Sequence, residues 1–342
     1  FGSRHIFFFS CSRNMPVASE KFLTPPIDPR YLLALVLCGA CSMISLFSGL
    51  RFLRKHLLAG RKRTGMVTPD DHAHDAMLFA MSIPAFTVLS FMAVVLVELA
   101  PVWKLIESLI LALNFAMIPK IFTGGVNGTL AMQRFMQENL HSLGTIQMYG
   151  QPPCCCLRPC TKARTPLPID FPRLKAGVWQ LCIIIPLVSI FELVVAEEAI
   201  MGAHFVKHVE GKAQFSKILK IASQLYCMSS CTGLAELVSS LTGHPEVKAS
   251  LAQKKSYCQS YLFALNLFPT ILDSLMMWYW GSTTLSNKEK LNKLEMGNFV
   301  TSVCVCMASI YVNCAAWRAF PIEKLDSDVD ELGVNAPLLL HA

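Results

Sequence analysis

The chain has 342 residues, of which 53% are hydrophobic and only 15% are charged, and its mean hydropathy is +0.46. This balance excludes an ordinary soluble globular domain, in which about a quarter of the residues are charged. The net charge of +7 does not indicate nucleic-acid binding, because in a membrane protein Lys and Arg report the side on which a loop lies. The composition predicts a multi-pass membrane protein that binds no nucleic acid.

Seven apolar stretches follow one another along the chain, each close to the roughly 20 residues that a helix needs to cross a bilayer. Because a spanning segment must satisfy its own backbone hydrogen bonds, these stretches favour helices. We predict an all-α membrane protein, a bundle of seven transmembrane helices. The predicted spans are Tyr31–Leu50, Met77–Val97, Val102–Phe122, Gly177–Val195, Ile218–Leu241, Tyr257–Trp280 and Met296–Trp317.

Lys and Arg are distributed unevenly between the predicted loops: six follow the first span, six follow the third and none follows the second. This asymmetry predicts an N-terminus outside and a cytoplasmic C-terminus. Residues 1–30 are then an extracellular tail, residues 31–317 the membrane domain, and residues 318–342 an acidic cytoplasmic tail. Since the chain begins at Phe1 without an initiator methionine, we expect the N-terminal tail to be incomplete or over-extended.

The loop predicted between the third and fourth spans, residues 125–174, carries a cysteine cluster on its cytoplasmic side. The segment reads QPPCCCLRPC and contains Cys154, Cys155, Cys156 and Cys160. A disulfide is disfavoured in the reducing cytosol, and contiguous cysteines lack the spacing of a zinc site. Several thiols near a bilayer favour S-palmitoylation, with unmodified thiols as the alternative. We predict covalent palmitate here and no other cofactor.

Polar residues inside the spans are the candidates for substrate binding, because they are costly in hydrocarbon and usually face a cavity or one another. In span six they recur every seven residues, and in span five they follow one helix face. Leu265 and Leu267, beside that stripe, are expected to face lipid. The alternative for each uncharged residue is a hydrogen bond that holds two helices together. The candidates are Gln259, Asn266 and Asp273 in span six, Ser229, Thr232 and Glu236 in span five, and Glu107 and Asn114 in span three.

Two further observations concern charged residues. Lys104 and Glu107 are spaced to pair on one face of span three. The Asp71-His72-Ala73-His74-Asp75 sequence is interpreted as a solvated interfacial loop rather than a metal site. The chain contains no Walker A, His-Glu-x-x-His or Gly-x-Ser-x-Gly motif, so we predict no catalytic residues, no metal and no enzyme activity.

Several motifs resemble the organic solute transporter alpha-subunit family. They are the FPRLKAGVWQLCIIIPL segment from Phe171 to Leu187, the cysteine-rich loop, and the two glycines after span three. Glu107, Lys255 and Pro269 also match. The resemblance covers residues 76–317. It implies a seven-helix subunit that carries bile-acid-like and conjugated steroid anions by facilitated diffusion, with an acylated cysteine loop and often with a single-span beta-subunit.

The partners expected from this resemblance are membrane lipid, an amphipathic organic anion, and either a single-span beta-subunit or further copies of the chain. The expected location is the plasma membrane, with endosomal or other internal membranes as the alternative. Two other functions stay open. Seven spans with an outside N-terminus also describe a receptor, although no Asp-Arg-Tyr ends span three, and a palmitoylated scaffold or trafficking protein would move no solute.

Overall fold

The computed structural model describes residues 29–64, 71–96, 99–123, 126–138, 144–148, 162–201, 206–241, 245–281 and 287–320. Within these ranges the chain is helical apart from short connections and one isolated antiparallel bridge. The all-α prediction is confirmed for this part of the chain. The helices are α1 (Pro29–Thr64), α2 (Asp71–Val95), α3 (Ala100–Thr123), α4 (Val126–Glu138), α5 (Asp170–Met201), α6 (Val206–Leu241), α7 (Pro245–Leu262), a π-helical segment (Phe263–Leu267), α8 (Phe268–Gly281) and α9 (Asn287–Ala319).

All seven predicted spans fall on helices, the sixth on the continuous run formed by α7, the π-helical segment and α8. Within the described ranges, four helices hold a stretch that is long and apolar enough to cross a membrane. These stretches are Leu32–Leu58, Ala100–Thr123, Asp170–Val194 and Gly297–Ala319. Helix α2 adds a shorter apolar stretch, Ala80–Val95. The chain is therefore a helical membrane protein with at least four candidate spans.

The α6 helix and the α7–α8 run are not among these four, and both carry charged side chains between their ends. Lys217 and Lys220 lie inside α6, and Asp273 lies in α8. Charged side chains are costly at the centre of a bilayer unless they face a partner or a cavity. The placement of these three residues in the bundle interior is described below.

The helices pack as a closed ring. Neighbours along the chain contact each other from α1 through α2 and α3 to α5, α6 and α7, and α9 closes the ring by packing against α1, α2, α7 and α8. Helix α3 also contacts α6 and α7 across the ring. Helix α4 packs mainly against α3. A ring of this kind leaves an interior in which side chains from several helices meet.

The core is centred on Tyr261 of α7, which is fully buried. Its hydroxyl lies 2.9 Å from Ser82 Oγ of α2 and accepts a hydrogen bond of 3.0 Å from Asn114 Nδ2 of α3. The ring packs edge-on against Phe86 and at a tilt against Phe115. Since buried phenol groups need hydrogen-bond partners, this arrangement joins α2, α3 and α7 at one point.

Glycine allows α5 and α6 to approach closely. A Cβ atom added at Gly177 would overlap Ser230 Oγ and lie 2.9 Å from Ser230 Cβ. A Cβ added at Gly233 would overlap the carbonyl oxygen of Met148, so the segment 144–148 also rests on α6. Small residues at helix crossings of this kind are typical of membrane proteins, where close packing replaces hydrophobic driving force.

Hydrogen bonds and one ion pair hold the start of α5 in place. Ile146 and Arg164 exchange backbone hydrogen bonds of 3.0 and 3.1 Å, and the Arg164 guanidinium pairs with Asp170 at 2.5 Å. Asp170 also accepts a hydrogen bond from the backbone N–H of Leu167. This bridge therefore joins the residues on either side of the segment 149–161. Four predicted lipidation sites lie in that segment, outside the described residues: Cys154, Cys155, Cys156 and Cys160.

One prediction about connections was wrong: the Asp71–Asp75 segment was expected to be a loop, and it forms the first turn of α2 instead. The predicted connection between spans three and four, residues 125–174, contains helix α4 and the first turn of α5. Helix α3 ends at Thr123, one residue after the predicted end of span three. Of the two predicted tails, 1–30 and 318–342, residues 1–28 and 321–342 lie outside the described residues, and the others continue α1 and α9.

Candidate functional site

A cavity lies inside the ring where α2, α3, α5, α6, α8 and α9 meet the π-helical segment. Its volume is about 60 Å³, which is room for a few water molecules, because one water needs about 10–15 Å³. We call it the charged cavity, because three lysines and three acids line it. These six residues are Lys104, Glu107, Glu192, Lys217, Lys220 and Asp273.

The most buried ion pair in the charged cavity joins α6 to α8. Lys217 Nζ lies 2.6 Å from Asp273 Oδ2, and the two side chains are only 9% and 13% exposed. Removing one partner from such a pair leaves an uncompensated charge in a medium of low dielectric constant. Each residue of the pair therefore depends strongly on the other. The pair as a whole adds little net stability, because replacing both residues with well-packed apolar side chains is often neutral or stabilising.

A second ion pair joins α6 to α5. Lys220 Nζ lies 3.5 Å from Glu192 Oε2, and Ser216 Oγ donates a hydrogen bond of 3.3 Å to Glu192 Oε1. Lys217 and Lys220 are three residues apart, so they share one face of α6. That face presents two ammonium groups to the cavity, each next to a carboxylate from a different helix.

The remaining two charged residues come from α3. Lys104 donates a hydrogen bond to Asn298 Oδ1 of α9, and Glu107 Oε1 accepts a hydrogen bond of 2.7 Å from Ser90 Oγ of α2. Both side chains line the charged cavity, although their spacing had predicted that they pair with each other. The hydrogen bonds, however, link each of them to another helix rather than to each other.

Several buried polar atoms around the charged cavity have no hydrogen-bond partner within the described part of the chain. Asn266 Nδ2 and Asp273 Oδ1 belong to residues that line the cavity. Ser189 Oγ and both amide atoms of Gln224 are also unpaired. Ser189 is one turn from Glu192 on α5, and Gln224 is one turn from Lys220 on α6.

The three lysines of the charged cavity are matched by three carboxylates of the protein itself, so the formal charges of its lining balance. The side-chain amide of Asn266 adds a donor that has no hydrogen-bond partner among the described residues. Among the described residues no cluster of three His, Cys, Asp or Glu side chains has the geometry of a metal site.

Three of the eight candidate residues meet in this cavity: Glu107, Asn266 and Asp273. The structure thus brings together one residue of the span-three group and two of the span-six stripe. Their spacing along the sequence gave no indication that α3 and α8 face each other. That proximity depends on the closure of the helical ring.

Of the other five candidates, four form hydrogen bonds between helices and one is only shown to be buried. Gln259 Nε2 donates a hydrogen bond of 2.8 Å to Thr232 Oγ1, and Glu236 accepts one of 2.8 Å from Lys255, so both pairs join α6 to α7. Asn114 binds Tyr261 in the core, and Ser229 is buried in α6. Their positions match the alternative interpretation, in which polar side chains hold membrane helices together.

The π-helical segment explains why the span-six stripe divides. The heptad spacing assumed a continuous α-helix, but a π-turn holds one extra residue and rotates the helix that follows it. Gln259 precedes the segment, Asn266 lies in it and Asp273 follows it. The expectation that Leu265 and Leu267 face lipid was wrong. They are 3% and 2% exposed, because α6 and α9 both pack against the π-helical segment.

Sequence reasoning missed Lys217, because span five was predicted to begin one residue later. Helix α6 begins at Val206, which places Lys217 well inside it. The signal available in the sequence was the pair Lys217 and Lys220, which are three residues apart and so share one face of a helix. Glu192 lies inside the predicted span four, but its partner on α6 was not predictable from spacing within one helix.

Comparison with known proteins gives one clear result. The family model described as organic solute transporter Ostalpha matches residues 34–325, a range that includes every residue of the charged cavity. No curated protein and no solved structure is significantly similar to the chain. The match covers most of the sequence, which confirms the predicted resemblance and a transporter rather than an enzyme family. The chain therefore belongs to the organic solute transporter Ostalpha family.

Proposed function

We propose that this protein is a transporter subunit that moves amphipathic organic anions, such as bile-acid-like or conjugated steroids, across a membrane by facilitated diffusion. The observation that carries the proposal is the charged cavity, in which three lysines lie inside the helical ring of a solute-transporter family member. Lysine ammonium groups are the natural partners of a carboxylate, sulfate or similar anionic head group.

The anionic head of the substrate binds at the Lys217 and Lys220 face of α6. There it accepts hydrogen bonds from Lys217 or Lys220, beside Asp273 and Glu192, and from the unpaired amide Nδ2 of Asn266. The cavity of about 60 Å³ admits a head group but not a steroid body. The apolar body therefore stays against the lipid-facing surface of the bundle, or the cavity opens during transport.

The place where opening is easiest is the junction of the π-helical segment with α8. Pro269 lies directly after that segment and lines the cavity. Proline removes a backbone hydrogen bond from a helix, and π-turns are themselves weak points that occur at functional sites. Phe263 and Phe268 flank this junction on the exposed side of the helix, where their rings are 6.2 Å apart.

The proposal includes the seven-span topology with an outside N-terminus and a cytoplasmic C-terminus. Helices at all seven predicted places and the excess of Lys and Arg after spans one and three support it. We place the protein in the plasma membrane, with internal membranes as the alternative, and expect either a single-span partner subunit or self-association. Tag-protection mapping that located residue 130 outside the cell would contradict this orientation.

Palmitoylation of Cys154, Cys155, Cys156 and Cys160 is part of the same proposal. Two or more acyl chains anchor a segment far more firmly than one chain. Replacing all four cysteines with Ser should abolish the mass shift in acyl-exchange labelling. A matched control replaces Cys314, an exposed cysteine of α9, and should leave the shift unchanged. Persistence of the full shift in the fourfold variant would place the lipid elsewhere.

Transport is tested by measuring the flux of a labelled steroid conjugate into proteoliposomes, with and without a single-span partner. Flux should follow the electrochemical gradient in both directions and should need no ATP. Accumulation against the gradient would contradict facilitated diffusion. Absence of flux under every condition would contradict the transport function and favour the scaffold or receptor alternative.

A matched pair of lysine variants tests the cavity itself. Lys220 and Lys255 both pair with a glutamate, but only Lys220 lines the charged cavity. Lys220→Gln should lower flux about tenfold, which corresponds to about 1.4 kcal/mol of barrier. Lys255→Gln should leave flux close to wild type. Equal losses in the two variants would show that the ion pairs act only on folding.

A further inference from the structure

A second surface of the bundle is built differently from the charged cavity. It is a groove of about 420 Å³ on the outside of the ring, between α1 and the end of α9. We call it the basic groove. It is lined by Phe47, Ser48, Arg51, Lys55 and Trp317.

The four α1 residues of the basic groove share one helix face. Phe47, Arg51 and Lys55 follow each other at intervals of four, and Ser48 lies beside them, so their side chains are stacked along the groove. The order along the helix separates two chemistries. Phe47, which is 64% exposed, lies at the apolar end, and the two exposed cationic side chains lie at the other.

Trp317 of α9 forms the wall of the basic groove and is held from three sides. Its Nε1 donates a hydrogen bond of 3.0 Å to Ser48 Oγ, and its ring packs edge-on against Phe52 at 5.1 Å. Lys55 Nζ lies over the ring, 5.3 Å from its centroid. A cation–π contact at this distance fixes the position of the ammonium group while leaving its N–H donors available.

The depth of the basic groove in the membrane follows from the sequence. Residues 31–50 carry no charge, and residues 51–63 carry six Lys or Arg and no acidic residue. Arg51 is therefore the first charged residue after an apolar span, and Trp317 lies close to the end of α9. Tryptophan and the first basic residues after a span mark the level of the lipid head groups.

The positive charge of the basic groove indicates what kind of ligand it binds. Among the residues that the structure describes, no acidic side chain forms an ion pair with Arg51 or Lys55. A groove at head-group depth with two cations at one end and exposed Phe47 at the other matches an anionic phospholipid, whose phosphate and acyl chains are separated in the same way. We propose that the basic groove is a binding site for an anionic phospholipid.

The test uses the full chain in nanodiscs of phosphatidylcholine containing one part in ten phosphatidylserine. The protein is re-extracted in detergent, and the lipid that stays bound is quantified by mass spectrometry. Wild-type protein should retain phosphatidylserine well above its share in the nanodisc. Arg51→Gln and Lys55→Gln should each lower the retained amount about fivefold.

Arg54→Gln is the matched control, because Arg54 is exposed on the same helix but does not line the groove. It should leave retention unchanged. Equal losses for Arg51→Gln and Arg54→Gln would show a general effect of surface charge and overturn the proposal. Phe47→Ser, which changes no charge, should also lower retention, because the acyl chain loses its contact.

Two further outcomes would overturn the proposal. One is retention of phosphatidylserine by the wild type at no more than its share in the nanodisc. The other is full displacement of bound lipid by soluble glycerophosphoserine, which would show a site for a head group alone. Because no transport is measured, the result is independent of the proposed transport function. A second copy of the chain in the groove would appear as a dimer whose formation excludes the lipid.

Discussion

The two sides of the bundle interior differ in the kind of polar groups that they bury. Where α1, α2 and α9 meet, Asn313 Nδ2 and Thr87 Oγ1 both donate to Ser45 Oγ, at 2.7 and 3.1 Å. We call these three residues the hydroxyl network. It contains no charged side chain. The charged cavity on the other side holds six ionisable residues and polar atoms without partners.

The difference indicates which polar side chains hold the helices together and which are available to a ligand. Uncharged polar side chains that hydrogen-bond to each other join membrane helices, with a typical contribution of about 0.6 kcal/mol each. Buried charges with incomplete hydrogen bonding are costly, and they persist where they serve a ligand or an ion. We expect substitutions in the hydroxyl network to act weakly and on folding, and substitutions in the charged cavity to act on transport as well.

The largest effect on stability is expected for Lys217→Gln. It leaves Asp273 as an uncompensated buried charge and should lower the free energy of unfolding by about 3–5 kcal/mol. The double variant Lys217→Gln with Asp273→Asn should recover most of that loss, because both charges are then absent. Unfolding by SDS titration in micelles measures both. A double variant as unstable as the single one would contradict the ion pair seen here.

The next largest effect concerns the crossing of α5 and α6, which positions Glu192, Lys217 and Lys220. Gly177→Ala should lower the free energy of unfolding by about 1–3 kcal/mol through overpacking against Ser230. Gly39→Ala is the matched control near the hydroxyl network, because its added Cβ would make an ordinary contact of 3.6 Å with Phe91. The same SDS titration should show no loss for Gly39→Ala. Equal losses would argue against a tight crossing.

A smaller effect is expected within the hydroxyl network. Thr87→Val keeps the shape of the side chain and removes its hydroxyl, so it loses the bond to Ser45. The expected change is about 0.6 kcal/mol in the free energy of unfolding, with steroid-conjugate flux unchanged. If flux fell sharply while stability stayed near wild type, this side of the bundle would also take part in transport.

The smallest effect on stability is expected for Asn266→Leu. The Asn266 Nδ2 atom is buried without a partner, so its replacement by an apolar side chain should be close to neutral for folding. Flux should nevertheless fall, because the donor that faces the charged cavity is lost. Leu275→Ala, on the exposed side of α8, should leave flux near wild type. A folding defect without a separate flux defect would make Asn266 a structural residue.

Much of the fold was predictable from the sequence, because apolar length alone locates helices in a membrane protein. Helices lie at all seven predicted places, and α3 ends at Thr123, one residue after the predicted end of span three. Helix α4 was missed because residues 126–138 are too short and too polar to resemble a span. The π-helical segment was missed because periodicity assumes one helical repeat.

The candidate site was only partly predictable. Glu107, Asn266 and Asp273 were found because charged and amide groups in apolar stretches are conspicuous. Thr232, Gln259 and Glu236 looked equally conspicuous, yet they bind one another or Lys255 between α6 and α7. The distinction depends on which helices face each other across the ring, and spacing within one helix carries no information about that.

The central claim is that the charged cavity exists for transport rather than for folding. The most direct test is the flux of a labelled steroid conjugate through the double variant Lys217→Gln with Asp273→Asn, measured in proteoliposomes at matched protein content. We predict that the double variant is nearly as stable as wild type but that its flux stays at least about tenfold lower, an increase of about 1.4 kcal/mol in the barrier. Recovery of wild-type flux together with stability would contradict the claim and make the ion pair a purely structural feature.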